Sequence, residues 1–253
     1  MEMPIHGGLV LALCLSVAAV AGMLRLLDRL YGLESRQRHN DITGFMISVI
    51  AVIYAILLGF VTFTVWENYD KASAAVDAEV NLVADIHRDA GSLAASSATA
   101  VRAELTGYLA TVKDQEWPGQ MTGQCPPRRS ALSGIAQHLR AASLDTVATA
   151  FIGEIVSRLN RLYDARRERL LACNRAIPTP IWISLAVGSL SLIGISLFFG
   201  CHDQRVHLAM SATLTISIVL VLWVVFELST PFRGSAAISP DIYKDMLDFL
   251  RSS

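Results

Sequence analysis

Four carboxylates, Glu67, Asp70, Asp77 and Asp85, stand at intervals of three, seven and eight residues. At 3.6 residues per turn they share one broad helical face with Asn81. Just ahead of them Ile56, Phe60 and Phe63 repeat at four and three. Such a set is suited to passing ions rather than to making bonds. A ring of apolar side chains gates by dewetting, and rings of carboxylates at a mouth attract cations and repel anions. In a symmetric oligomer each of these residues becomes a ring. The competing reading is plain: charges just outside a membrane helix are solvated, and aromatics inside one pack.

Other chemistries find little support. The six histidines, His6, His39, His87, His138, His202 and His207, are scattered, and no HExxH, nucleophile elbow or phosphate loop occurs. His87 reads as a surface residue. His202 and His207 approach each other across a short turn but lack a third ligand. None of Cys14, Cys125, Cys173 and Cys201 forms a CxxC pair. The expectation is therefore no enzyme, no catalytic residue, no cofactor and no metal. A net charge of -1 gives no field for nucleic acid.

The elements that must carry the candidate residues are helices in a membrane. The chain is 53% hydrophobic and only 17% charged, against about 25% charged in average soluble domains. The deficit is concentrated in four runs. Ile42–Trp66 holds 25 residues without one Asp, Glu, Lys, Arg or His, enough to cross the hydrocarbon core. Residues 8–24 form an earlier run that extends to Leu27 if Arg25 snorkels. It lacks a basic n-region and a small-x-small cleavage site, so it reads as a retained helix. Residues 177–199 and 207–227 supply the third and fourth. The fold expected is all-α, a polytopic membrane protein with four transmembrane helices and a helical extramembrane region over 67–176. The organisation expected is 1–66 with two spans, 67–176 as a stalk and bundle, 177–228 with two spans, and a tail at 229–253.

Within these segments the small residues have assignable parts. Gly44 and Gly59, and the trio Gly188, Ser191 and Gly194, predict close helix packing. Pro178 and Pro180 suit a first helical turn, and Trp182 an interfacial anchor. Residues 28–41, with Arg29, Arg36 and Arg38, form a polar connector. In the stalk, Ala74, Val76, Val80, Val83 and Ile86 provide packing, and Glu79 lies off the acidic face and needs a partner. A break is expected over Gly91–Ser97. A second helix then runs over 98–116, with Leu105, Tyr108, Leu109, Val112 and Trp117 as its apolar positions, stopped by Trp117-Pro118-Gly119. Residues 118–130 read as the least structured part. A third helix runs over 131–174 through Leu139, Leu144, Val147, Ile152, Ile155, Leu159, Leu162 and Leu170. In the tail, Ser239 is the expected N-cap of a short helix with Ile242, Met246, Phe249 and Leu250 on its apolar face.

Four crossings put 67–176 and both termini on one side. Lys71, Arg158, Arg161, Arg166, Arg167, Arg169, Arg175, Arg233 and Lys244 stand on that side, and Arg25, Arg29, Arg36, Arg38 and Arg205 on the other. The balance favours a cytoplasmic 67–176 region, although the flanks of the first helix point the other way. In the cytoplasm Cys125 and Cys173 would be thiols. Arg166, Arg167 and Arg169 could bind anionic headgroups, draw anions to a vestibule, or serve only the sidedness rule.

Several stretches resemble the bacterial bestrophin-like family of membrane proteins: LLGFVTFTVWENYDKASAAVDAEV at 57–80, GYLATVKDQEWP at 107–118, LYDARRERL at 162–170, IPTPIWISLAVG at 177–188 and FELSTPFRGSAAISP at 226–240. The resemblance covers nearly all of the chain after residue 40. More remotely it reaches the bestrophins themselves, pentameric anion channels whose second membrane helix lines an axial pore. It implies a homo-oligomeric ion channel in a bacterial inner membrane, with inorganic ions and membrane lipids as partners and 42–66 as its pore helix. Ile56, Phe60 and Phe63 would form the constriction, and Glu67, Asp70, Asp77 and Asp85 the mouth. No bestrophin neck motif is matched residue by residue, the chain is shorter, and no calcium clasp carries over. The acidic mouth argues for cations, against the family's anion preference. The alternative is a membrane-anchored scaffold or sensor whose helical extramembrane region binds a partner. Spans without ionisable groups fit it well and disfavour a coupled transporter.

Overall fold

The structure, a computed structural model, describes residues 5–125, 132–142 and 149–252. It is all-α, with no strand among the described residues. In order the helices are α1 (Ile5–Leu30), α2 (Leu33–Gln37), α3 (Asn40–Ala90), α4 (Ala95–Thr111), a π-helical turn (Val112–Glu116), α5 (Trp117–Thr122), α6 (Ser133–Ala142), α7 (Thr149–Asn174), α8 (Thr179–Leu197), α9 (Gln204–Leu228) and α10 (Asp241–Ser252). Segments Gly7–Leu30 in α1, α3, α8 and α9 are long and apolar enough to cross a membrane.

The chain forms two compact units, divided at Trp66/Glu67, Arg175/Ala176 and Ser229/Thr230. The first holds α1, α2, α3 as far as Trp66, α8 and α9. Its core joins Tyr54, Val61 and Val65 of α3 to Leu185 and Leu192 of α8 and to Ile218 and Val225 of α9. A second cluster packs Val20, Leu24 and Leu27 of α1 with Leu197. Gly188 lies so close to the Tyr54 ring that any Cβ there would overlap it, as the small-residue pattern predicts. Gly44 faces Phe199, whereas Gly59 and Gly194 have open space beside them. The expected role of those two in packing is therefore not found within one chain.

The connector is more built than its polarity suggests. Arg36 is buried; it donates to Asp28 and to the Leu197 carbonyl, 3.4 Å away. Asn40 exchanges two hydrogen bonds with the backbone of Gly200, at 3.0 and 2.8 Å. Asp203 caps α9 by accepting from the Arg205 and Val206 amides.

The second unit holds α3 from Glu67, α4 to α7 and α10. Val76, Val80, Val83 and Ile86 are buried as expected, but Ala74 is exposed. Leu105, Tyr108, Leu109, Val112 and Trp117 join the same core, with Ile155, Leu159 and Leu162 of α7. Trp117-Pro118-Gly119 does not stop the helix. Proline lacks an N–H, and its ring crowds the carbonyl four residues back. The chain accommodates it by widening into a π turn, where the Trp117 amide bonds the Val112 carbonyl. The stop comes at Gly123, whose φ of 82° only glycine adopts cheaply. Residues 126–130 lie outside the described residues. So do 143–148, with Leu144 and Val147, between α6 and α7 where one helix is expected. Cys125 and Cys173 form a disulfide with a Cα separation of 6.0 Å, rather than the thiols a cytoplasmic placement predicts.

The Ser239 hydroxyl accepts from the Asp241 amide at 3.2 Å and so starts α10. The buried face of α10 is Tyr243, Leu247 and Leu250, with Ile242 and Met246 partly covered. Phe249, expected on the apolar face, is exposed. The aromatic ring at the right phase for burial is Tyr243, which packs on Trp117 with centroids 5.4 Å apart.

Candidate functional site

The candidate constriction residues occupy one face of α3 and are bare in the chain. Ile56, Phe60 and Phe63 are 69%, 72% and 64% exposed. Phe45, Val49, Val52 and Ile53 are exposed in the same membrane segment. Tyr54, Val61 and Val65 turn the opposite way into the core. The segment is thus apolar on all sides, with one side taken by its own chain.

In the second unit the four candidate mouth residues divide into two pairs. Glu67 accepts from Lys71 Nζ at 2.7 Å, and Asp85 is flanked by Arg88 at 2.6 Å and Arg158 at 3.2 Å. Asp70 and Asp77 are exposed and have no cationic partner among the described residues. Unneutralised negative charge on this face is therefore centred on Asp70 and Asp77.

Charge is handled differently inside this unit. Arg169 donates from Nε to Glu79 Oε2 at 2.7 Å and from Nη2 to Glu79 Oε1 at 3.1 Å. The same Nη2 reaches Glu116 Oε2 at 2.6 Å, and Arg166 Nη2 reaches Glu116 Oε1 at 2.6 Å. Tyr108 donates its hydroxyl proton to Glu79. Tyr243 lies under the Arg169 guanidinium, 5.8 Å from ring centroid to Cζ. Two arginines and two glutamates balance, and all four are buried.

The environment sets the protonation of this network. Burial opposes the charge on Arg169 most strongly, but Glu79, Tyr243 and Tyr108 together outweigh it and hold the guanidinium firmly protonated. Burial likewise opposes ionisation of Glu116, yet Arg169 and Arg166 together hold its carboxyl below the ordinary value. Burial first, and Glu79 second, push the Tyr108 and Tyr243 hydroxyls well above theirs. A charge-balanced network of this kind fixes α3, α4, the π turn, α7 and α10 together, with Arg169 Nη1 left buried and without a hydrogen bond.

Arg166 and Arg169 are therefore neither headgroup ligands nor a vestibule; Arg167 alone of the three is exposed. The partner that Glu79 requires lies in its own chain. A signal for this was available: Ile155, Leu159, Leu162, Arg166 and Arg169 recur at three and four, so both arginines fall on the buried face of α7.

The sequence matches the bestrophin-like domain family over residues 14–243. No curated protein matches it. Among solved structures, a tryptophan-to-alanine mutant of a bacterial bestrophin homolog from Klebsiella pneumoniae superposes with a TM-score of 0.74 at 13% identity, covering 100% of this chain and 98% of that one. An aspartate-to-alanine mutant of the homolog from the same organism gives 0.73 at 16% identity, covering 96% and 97%. A glycine-to-alanine mutant described only as a membrane protein gives 0.68 at 14%, covering 96% and 97%. At such identities the likeness is one of fold.

Proposed function

The chain belongs to the bestrophin-like family, and from that premise we propose that this multi-pass membrane protein is a homo-oligomeric ion channel, a ring of subunits whose axial pathway is lined by α3. The observation that carries the reading is the bare apolar face of Ile56, Phe60 and Phe63. Four spacings of four and three, from Ile56 by way of Phe60, Phe63 and Glu67 to Asp70, and one of seven to Asp77, keep to the same side of an uninterrupted helix. A ring of such helices brings an apolar constriction next to an acidic mouth. Phe60 and Phe63 narrow the pathway, and Asp70 and Asp77 supply its uncompensated charge. Cations are then the favoured ions, in contrast to the anion preference of the bestrophin channels. In this reading the second unit faces the cytoplasm of a bacterial inner membrane, where the adjacent Cys125 and Cys173 would be held as thiols in the cell and would close into the disulfide on oxidation, and its buried network keeps the acidic stretch of α3 rigid.

Single-particle imaging of the purified protein in lipid nanodiscs tests the arrangement. The proposal expects a ring, pentameric by family kinship, with α3 around a lumen. A monomer, or a closed dimer without a lumen, contradicts it and favours a scaffold.

A further inference from the structure

At the connector end of the membrane unit lie charges that an ion pathway along α3 does not use. Arg36 is committed to Asp28 and to the Leu197 carbonyl. Asp28 also accepts from Gln204 Nε2 at 2.9 Å, so its charge and its acceptors are engaged. Asp203 is occupied by the amides that start α9. Arg25, three residues before Asp28 on α1, and Arg205, in the first turn of α9, are both exposed. Among the described residues neither has a carboxylate partner.

Arg25 and Arg205 line one pocket of about 150 Å³, together with Asp28, Gln204 and His207. His207 is buried, donates from Nε2 to the Ser196 carbonyl at 3.1 Å, and also lines an adjoining groove of about 550 Å³. The walls of that groove are Ile47, Phe199, Met210 and Leu214, with His202 beside the polar turn. A basic pocket thus abuts an apolar groove, with His207 common to both. Leu214 lies nine residues beyond Arg205, about 14 Å along the α9 axis. That is the order and scale of a phosphate followed by an acyl chain.

We infer that this end of the membrane unit binds an anionic phospholipid. Its phosphate sits between Arg25 and Arg205, and one acyl chain lies in the groove beside Met210 and Leu214. Guanidinium recognises phosphate with paired charge-assisted hydrogen bonds. Basic pockets between membrane helices suit such headgroups. Among the described residues the two cations have no carboxylate partner, and hydrocarbon fills a groove that apolar walls leave open to the bilayer. Charge complementarity and the groove together favour a lipid over a soluble anion or a second copy of the chain.

The test uses the full-length protein equilibrated with vesicles of equimolar phosphatidylglycerol and phosphatidylcholine, then native mass spectrometry of the lipids retained. Retention of phosphatidylglycerol should exceed that of phosphatidylcholine by about tenfold. The double variant Arg25→Gln/Arg205→Gln, at two exposed positions, should lose that preference while keeping the same oligomer mass. Met210→Trp, which crowds the groove from its exposed wall, should lower retention while leaving the headgroup preference. Equal retention of the two lipids by the parent protein, or an unchanged preference in the double variant, overturns the inference. Displacement by glycerol phosphate as effective as by the lipid would make this a soluble-phosphate site. A loss of oligomer mass in the double variant would make it a subunit contact.

Discussion

Arg169 grips Glu79 from ninety residues away, with Nε at 2.7 Å and Nη2 at 3.1 Å, and neither side chain is open to solvent. Removing one partner of a buried pair strands the other charge and costs about 3–5 kcal/mol. Arg169→Met should therefore unfold the second unit at much lower denaturant, read by the fluorescence of Trp117 in the same core. The double variant Glu79→Met/Arg169→Met should recover a large part of the loss, because replacing both partners with apolar groups of similar volume avoids the stranded charge. Additive losses would show that the two residues act independently.

The same network sets a pH profile. The Glu116 carboxyl is held below its ordinary value of 4.5 by Arg169 and Arg166, which outweigh its burial. A depressed carboxylate contributes stability that is complete above the unfolded value and is lost as pH falls through the folded one. Thermal stability should decline below about pH 4.5, and Glu116→Gln should flatten that limb at the cost of lower stability at neutral pH. Tyr108 lies on the opposite side of the scale. Its hydroxyl, raised by burial and then by Glu79 above 10.0, contributes stability that is lost as pH rises past the ordinary tyrosine range. Tyr108→Phe should remove part of that alkaline limb.

Two glycines on α8 separate packing from composition. A Cβ at Gly188 meets the ring of the buried Tyr54, with Cε2 at 2.6 Å. Gly188→Ala should cost roughly 1–3 kcal/mol by overpacking. Gly194 has nothing within 4 Å, so Gly194→Ala should be neutral in the same melting experiment in detergent. Equal effects at the two positions would mean that Gly194 meets a neighbouring subunit.

Much of this architecture is legible in the sequence, because lipid leaves a simple signature. The four spans show as runs without charge, and the apolar positions of α4 and α7 show as three-and-four spacing. Where expectation fails, a local rule meets a tertiary solution. Pro118 reads as a stop, yet the π turn absorbs it. Arg166 and Arg169 read as surface charge because each is polar, although their phase on α7 places them inside. Their carboxylate partners lie on distant elements, which no spacing along the chain reveals. Phe249 is more apolar than Tyr243, but the position of α10 on its neighbours puts Tyr243 inward.

The disulfide between Cys125 and Cys173 spans 48 residues of chain. Closing a loop of that length is worth up to about 4 kcal/mol. Oxidised protein should lose stability of this order on Cys173→Ser, measured by thermal unfolding with and without reductant. Alkylation in intact cells addresses sidedness with the same residues. A cytoplasmic second unit predicts free thiols that react before any reductant is added, whereas complete protection points to the oxidising side of the membrane.

Whether ions pass along α3 is decided by recording from the purified protein in planar bilayers under a salt gradient. Conductance is expected, with a reversal potential on the cation side. Currents should be larger in Phe60→Ala/Phe63→Ala, and the cation preference weaker in Asp70→Asn/Asp77→Asn than in the parent. Absence of conductance across ions and voltages would contradict the channel itself, and an unchanged reversal potential in the aspartate variant would contradict the acidic mouth.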